Sequence, residues 1–418
     1  MILPRLEVGM LEGVAWRLSV MMFLQYVIWG SWLPLLALYL TRSLHLSGTE
    51  IGWIFATQAI ASVAALFVSG QIADRYMPID RFLALSHLVG GLAMFALAYQ
   101  QTFWSFFAVM LVYTIAYIPT LSLANAIAFH HLKDAQKEFG RVRLWGTIGW
   151  IAASWPFVFI LAGKEGAALD KALGSIFVVA GLASLALAAF CLFLPKTPPA
   201  TGVAERNAPF AAIKLLAVPS IAVLFVVTFL DALVHQCYFQ WTSPFLSEIG
   251  VPENMIMPAM SLGQISEIAT MAGLGYFLKR LGWRRIMIIG ILGHVVRFAI
   301  YSIGGPTTVW LVVGSNLVHG FCYAFFFATV YIFVDEKFPR DARASAQGLF
   351  NFLILGLGPF VGSLLWGKLG DVYRVAGGGV DYSRLFLVTA GVGLVAAIIL
   401  FIGFHPDKTK PALATKAA

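Results

Sequence analysis

Charge is what this 418-residue chain has least of: Asp, Glu, Lys and Arg make up 11% of it, against about 25% in soluble globular domains. With 60% hydrophobic residues and a mean hydropathy of +0.84, that scarcity excludes an ordinary water-soluble fold. Cysteine is scarce as well. Cys191, Cys237 and Cys322 all fall inside apolar runs and far apart, so the paired spacing of a disulfide or metal site is lacking and they read as small core residues. The chain contains no H-E-x-x-H, no G-x-x-x-x-G-K-[ST] and no G-x-S-x-G. Nor does it have a long hydrophilic stretch that could house a soluble catalytic or signalling domain, which argues against an enzyme and against a receptor. The opening residues, MILPRLEVGMLEGVAWRLSV, include acidic side chains and no small-residue cleavage site, so the first apolar run is expected to stay in the mature protein.

What the chain has in abundance is apolar runs. Segments such as SIFVVAGLASLALAAFCLFL (175–194) and LFLVTAGVGLVAAIILFIGF (385–404) each supply the ~20 residues a helix needs to cross a bilayer. The pattern predicts an all-α membrane protein of twelve transmembrane spans: 17–41, 50–73, 82–100, 104–129, 143–163, 173–195, 217–246, 255–278, 285–304, 307–334, 345–369 and 384–404. Of the 28 Lys and Arg, 21 fall on the termini and even-numbered loops, six on odd-numbered loops and their flanks, and Arg297 lies within a span. By the positive-inside rule both termini are cytoplasmic. The net charge of +8 thus reports topology rather than a nucleic-acid partner. The polar stretch PKTPPATGVAERNAPFAAIK (195–214) divides the spans into six and six. Basic turns after the second span of each half, GQIADRYMPIDRF from 70 and GYFLKRLGWRRIM from 275, suggest a duplicated unit. The expected organisation is a bundle at 1–195, a cytoplasmic linker at 196–215 and a second bundle at 216–418.

Charged side chains at bilayer depth cost at least ~2.5–3.5 kcal/mol each, so those that persist need a partner, a wet cavity or a task. Gln264 and Glu267, in SLGQISE, sit near the middle of span 8 and three residues apart, hence on one helix face. Glu267 reads as a carboxylate that exchanges a proton and binds solute in one protonation state, beside an amide that offers donors and an acceptor. Asp231 and His235 lie four apart in span 7, followed by Gln236 and Gln240; Asp231 either pairs helices or couples protons. Arg297 reads as structural, bonding helix-end carbonyls or snorkelling from a peripheral span 9. His87, His294 and His319 read as core histidines, with only His319 a candidate to line a cavity. Aromatic strings QYVIWGSW, RLWGTIGW, HQCYFQW and CYAFFF mix flat rings with amides, as recognition of a flat polar solute would require. Trp150, Phe239 and Tyr323 are the deeper of these rings.

The loop GQIADRYMPIDRF resembles the signature loop of the major facilitator superfamily, with Gly70, Asp74, Arg75 and Arg81 in matching places and Met77 in place of a second glycine. That resemblance implies a loop gating the motion of two bundles. Within the superfamily, LQYVIWGSWL, YIPTLSLANAIAF, RLWGTIGW, SLGQISE and RASAQGLF resemble the bacterial nucleoside:proton symporter family over almost the whole chain. The resemblance implies nucleoside contacts at Arg143, Thr147, Gln236, Gln264 and Glu267, with Trp150 stacking near the base. It also marks two departures: Phe239 stands where the family's nucleoside permease has an asparagine, and Ala324 where it has an aspartate.

The expected function is therefore import of a nucleoside with a proton, by alternating access in a monomer of the bacterial inner membrane. The proton gradient drives it and no cofactor or metal takes part. The expected substrate-binding set is Arg143, Thr147, Trp150, Gln236, Phe239, Gln264, Glu267, His319 and Tyr323, with Glu267 and Asp231 as proton-coupling candidates. Gly146, Gly149, Gly356, Gly358 and Gly362 are expected to allow close helix contacts, and Pro359 to kink span 11. The alternative is a permease or facilitator of the same fold for a sugar or other small polar solute, without proton coupling.

Overall fold

A computed structural model describes residues 13–75, 77–198, 214–338, 340–376 and 379–406. Both termini and most of the 196–215 linker lie outside the described residues, as do the side chains of Asp74 and Arg75 and the surroundings of Gly70. Among the described residues the fold is all-helical, with a single isolated bridge, Arg374 to Val380, outside the helices. Helices answer the problem that a bilayer sets, because they satisfy their backbone polar groups within one segment. Among the described residues, nine helices are long and apolar enough to cross a membrane. Trp104, Phe159, Trp310 and Ile402 are largely exposed, a disposition that suits lipid and would be a liability in water.

The helices depart from the predicted spans for local reasons. Span 5 begins earlier, at Ala135, where Asp134 caps the helix by accepting from Lys137 N at 3.3 Å, and it breaks into Ala135–Ala152 and Trp155–Ile160. Spans 8 and 9 form the run Glu253–Ser302, which is interrupted at Gly282 (φ 74°, ψ 167°); glycine alone adopts such a backbone without strain. Two segments widen into π-helix, Tyr323–Ala328 in span 10 and Phe352–Leu357 in span 11. The second directly precedes Gly358–Val372, in whose first turn Pro359 sits. Proline there donates no bond to the preceding turn and crowds its carbonyls, so the helix widens where a kink was expected.

By their contacts the residues fall into two compact units, Met1–Pro34 with Ala61–Gly202, and Leu35–Ile60 with Val203–Ala418. In the first, Ile79–Leu97 packs between Phe103–His131 and Ser175–Phe190. A buried polar knot holds these helices to Ala15–Arg42. Gln25 donates to Thr120 Oγ1 (2.8 Å), the His87 Nε2–H donates to Gln25 Oε1 (2.9 Å), and Tyr117 donates to the Gln25 carbonyl (2.5 Å). His87 is thus the core histidine expected of it. At the end of this unit the buried Asp80 accepts from Thr197 N at 3.1 Å, while Arg81 is exposed with Nε 3.8 Å from the Asp80 carboxylate.

In the second unit, Pro219–Glu248 packs against Gly358–Val372 and Tyr382–Gly403. A Cβ at Gly362 would press on Leu233 and Gln236, so the small residue sets the helix spacing. Trp366 donates to the Leu233 carbonyl (2.7 Å) and Trp241 to the Trp366 carbonyl (3.1 Å), which locks the rotation of the Gln236 helix. The first turn of Gly48–Arg75 also belongs here. Asp371 accepts from Gly48 N (2.7 Å), Thr49 N (2.8 Å) and Thr49 Oγ1 (2.5 Å), satisfying orphan amides that the helix itself cannot serve.

Candidate functional site

In the first unit the expected residues lie on one face of Ala135–Ala152, because Arg143, Thr147 and Trp150 follow a spacing of four and three. The half-buried Arg143 guanidinium lies over the Tyr26 ring, 4.2 Å from its centroid. Trp150 meets Trp29 edge to face at 5.5 Å, and Trp29 in turn contacts Tyr26 and Tyr117. Glycine makes this possible: a Cβ at Gly149 would overlap the Phe23 carbonyl, and one at Gly146 would strike Tyr26 and Arg143. The result is a wall of rings with one planar cation lying on it, suited to a flat aromatic solute with polar edges. Tyr26 and Trp29 were visible only as part of an aromatic string; no spacing rule singled them out.

In the second unit, Gln236 and Gln264 are 8% and 9% exposed, and neither amide has a hydrogen-bond partner among the described residues. A buried amide without a partner costs about 1–3 kcal/mol, so a folded protein keeps one only where something else satisfies it. Gln240, one turn on and fully buried, donates to the Ser363 carbonyl at 3.2 Å, while its Oε1 has no partner among the described residues. Glu267 is half-buried on the helix of Gln264, and the chain at Gly320 packs so closely on Ser266 and Glu267 that any Cβ there would overlap their backbone. Phe239 and Tyr323 are half-buried rings; Phe239 lies edge-on to His235 at 5.3 Å. Ala324 is fully buried in the apolar cluster with Leu274, Phe325 and Phe326, where a carboxylate would have no compensation.

Arg297 departs from its expected role. It is fully buried, its guanidinium lies over the Tyr238 ring at 4.2 Å, and Nη1 donates to His319 Nδ1 at 2.7 Å. Asp231, also fully buried, accepts from the Nδ1–H of His294 at 2.9 Å, and His294 Nε2 lies 3.3 Å from His235 Nδ1. His319, 2% exposed, stacks on His235 (5.2 Å) and on Tyr238 (4.9 Å). Five charged or titratable side chains from three segments thus form one cluster. Sequence spacing paired Asp231 with His235 and His294 with Arg297; that the two pairs meet required the packing of span 7 against span 9. Among the described residues no group of His, Cys, Asp or Glu is arranged to hold a metal ion.

Comparison with known proteins identifies the family of the chain. Nucleoside permease NupG of Escherichia coli is 31% identical over 93% of this chain and 95% of its own length. Xanthosine permease of Escherichia coli is 32% identical over 95% of this chain and 98% of its own. The crystal structure of an aspartate-to-alanine mutant of the nucleoside transporter NupG superposes with a TM-score of 0.85 at 29% identity, covering 94% of this chain and all of that one. The profile of the family described as nucleoside H+ symporter matches residues 12–409. Symporters of this kind draw on the proton gradient and need no cofactor. From end to end, then, this chain is a transporter rather than an enzyme, and it belongs to the nucleoside H+ symporter family.

Proposed function

We propose that this protein imports a nucleoside together with a proton across the bacterial inner membrane. The observation that carries the substrate reading is the pair of amides, Gln236 and Gln264, which are 8% and 9% exposed and bond nothing among the described residues, in a chain that the nucleoside H+ symporter profile matches over residues 12–409. We assign solute contact to Arg143, Thr147, Trp150, Gln236, Phe239, Gln264, Glu267, His319 and Tyr323. Glu267 takes the proton that links solute binding to charge, because burial favours the neutral acid and a nearby cation the anion.

The nine apolar helices, the less apolar Gly48–Arg75 and Ala135–Ala152 helices, and the division of Glu253–Ser302 at Gly282 support twelve crossings. We place these in two six-helix bundles, 1–195 and 216–418, joined at 196–215, with both termini cytoplasmic, in a monomer that has no nucleic-acid partner. Uptake of labelled uridine into proteoliposomes, with and without an inward proton gradient, tests the function. Accumulation should require the gradient, and Glu267→Gln should abolish it while sparing counterflow. Equal uptake under both conditions would remove the proton from the mechanism.

A further inference from the structure

We propose that Asp231, His294 and His235 form a relay that carries the coupled proton. The proposal rests on the proton-coupled reading above and assigns it a second protonatable device besides Glu267. Three observations lead to it. A carboxylate and an imidazole lie fully buried and in contact at 2.9 Å, yet among the described residues Asp231 Oδ2 has no partner. A structural ion pair would be expected to satisfy both oxygens, since a half-satisfied buried charge is among the most costly arrangements a core can hold. The second imidazole, His235, continues the line at 3.3 Å and is the least buried of the three. Finally, His235 precedes the unpartnered Gln236 and touches the Phe239 ring, so the outer end of the line meets residues proposed to contact solute.

The line takes up one proton, and its charge rises from minus one to zero. In the unloaded state the Nδ1–H of His235 points to His294 Nε2, and the Nδ1–H of His294 to the Asp231 carboxylate. A proton that arrives at His235 Nε2 lets the Nδ1 proton of His235 pass to His294 Nε2, and the Nδ1 proton of His294 pass to Asp231 Oδ1. Both imidazoles end neutral in the opposite tautomer and the carboxyl is protonated; release runs the same bonds backwards. Arg297 sets the boundary. Its Nη1 donates into His319 Nδ1, so that nitrogen cannot accept the relay's proton although the His319 ring stacks on His235. The fixed cation balances Asp231 when the line is empty, and loading leaves one net positive charge in the cluster.

The other groups that face the line are weak acids or hydroxyls. Tyr238 and Cys237 lie on its own helix, Tyr301 beyond Arg297, and Cys322 on the segment of His319. Tyr301 donates to Asn316 and Cys322 to the Val318 carbonyl, while Cys237 meets Thr389 on the last helix. None offers a second carboxylate.

The test uses the full chain in proteoliposomes and compares Asp231→Asn, His294→Gln and His235→Gln with the unaltered protein. Readouts are labelled uridine accumulation, uridine-induced proton uptake and uridine counterflow across pH. For one proton per solute, an inward gradient of one pH unit supports up to about tenfold accumulation. All three variants should fall to a ratio near one and lose uridine-induced proton uptake, yet still exchange labelled for unlabelled uridine with a flattened pH profile. Unchanged accumulation and proton uptake in the three variants would overturn the relay. So would loss of counterflow together with accumulation in variants that still bind uridine, because the cluster would then be structural. Should the unaltered protein move no proton on addition of any nucleoside, the coupling reading itself would fall, and the relay with it.

Discussion

Two buried glutamines separate recognition from architecture. Gln25 is fully buried and bonded on both sides, donating to Thr120 at 2.8 Å and accepting from His87 at 2.9 Å. Gln25→Ala removes the partner of His87 Nε2 in an imidazole whose Nδ1 already has none among the described residues. Orphaning one buried donor costs about 1–3 kcal/mol before any cavity is counted. Gln264→Ala removes an amide that is 9% exposed and bonds nothing among the described residues, so this stability term is absent. What it loses instead is one hydrogen bond to solute, about 1–1.5 kcal/mol and thus roughly tenfold in Kd. Both variants are measured in detergent by thermal unfolding and by nucleoside titration. Gln25→Ala should unfold at lower temperature with near-normal affinity, and Gln264→Ala should do the reverse. If Gln264→Ala is destabilised as much as Gln25→Ala while its affinity is unaltered, the assignment of the unpartnered amide to solute is wrong.

Three further outcomes follow from the same geometry. Arg143→Ala should weaken nucleoside binding and Arg143→Lys should rescue it only in part, because a compact ammonium does not lie flat on Tyr26 as a guanidinium does; titration calorimetry on the two variants decides. Asp371→Ala should destabilise the first turn of Gly48–Arg75 by about 0.5–2 kcal/mol, with Asp371→Asn less severe, read as faster amide exchange at Gly48 and Thr49. Gly149→Val should reduce the yield of folded protein sharply, since its side chain meets the Phe23 carbonyl, whereas the same change at Gly140, which has nothing within 4 Å, should cost only helix propensity; size-exclusion profiles of the solubilised variants show which holds.

Much of the candidate site was legible in the sequence because the bilayer makes polar residues conspicuous. Gln264, Glu267, Asp231 and Arg143 stood out against apolar runs, and helical periodicity put Arg143, Thr147 and Trp150 on one face. The character of Arg297 was not legible. Read alone, an arginine three residues from a histidine can snorkel; the structure buries it over Tyr238 and bonds it to His319, a residue from another segment. Ala324 likewise could be read as a lost carboxylate, but not as a position enclosed by phenylalanines.

The sequence by itself determined that this chain is a helical membrane transporter, since hydropathy, charge placement and family motifs are one-dimensional quantities that survive without coordinates. Only the tertiary structure decided which buried polar groups are partnered. Hydrogen bonding depends on distances of about 3 Å between residues tens to hundreds of positions apart, as between Gln25 and Thr120 or Asp231 and His294. That pairing is what distinguishes Gln25 from Gln264, and a core arginine from one that reaches for water.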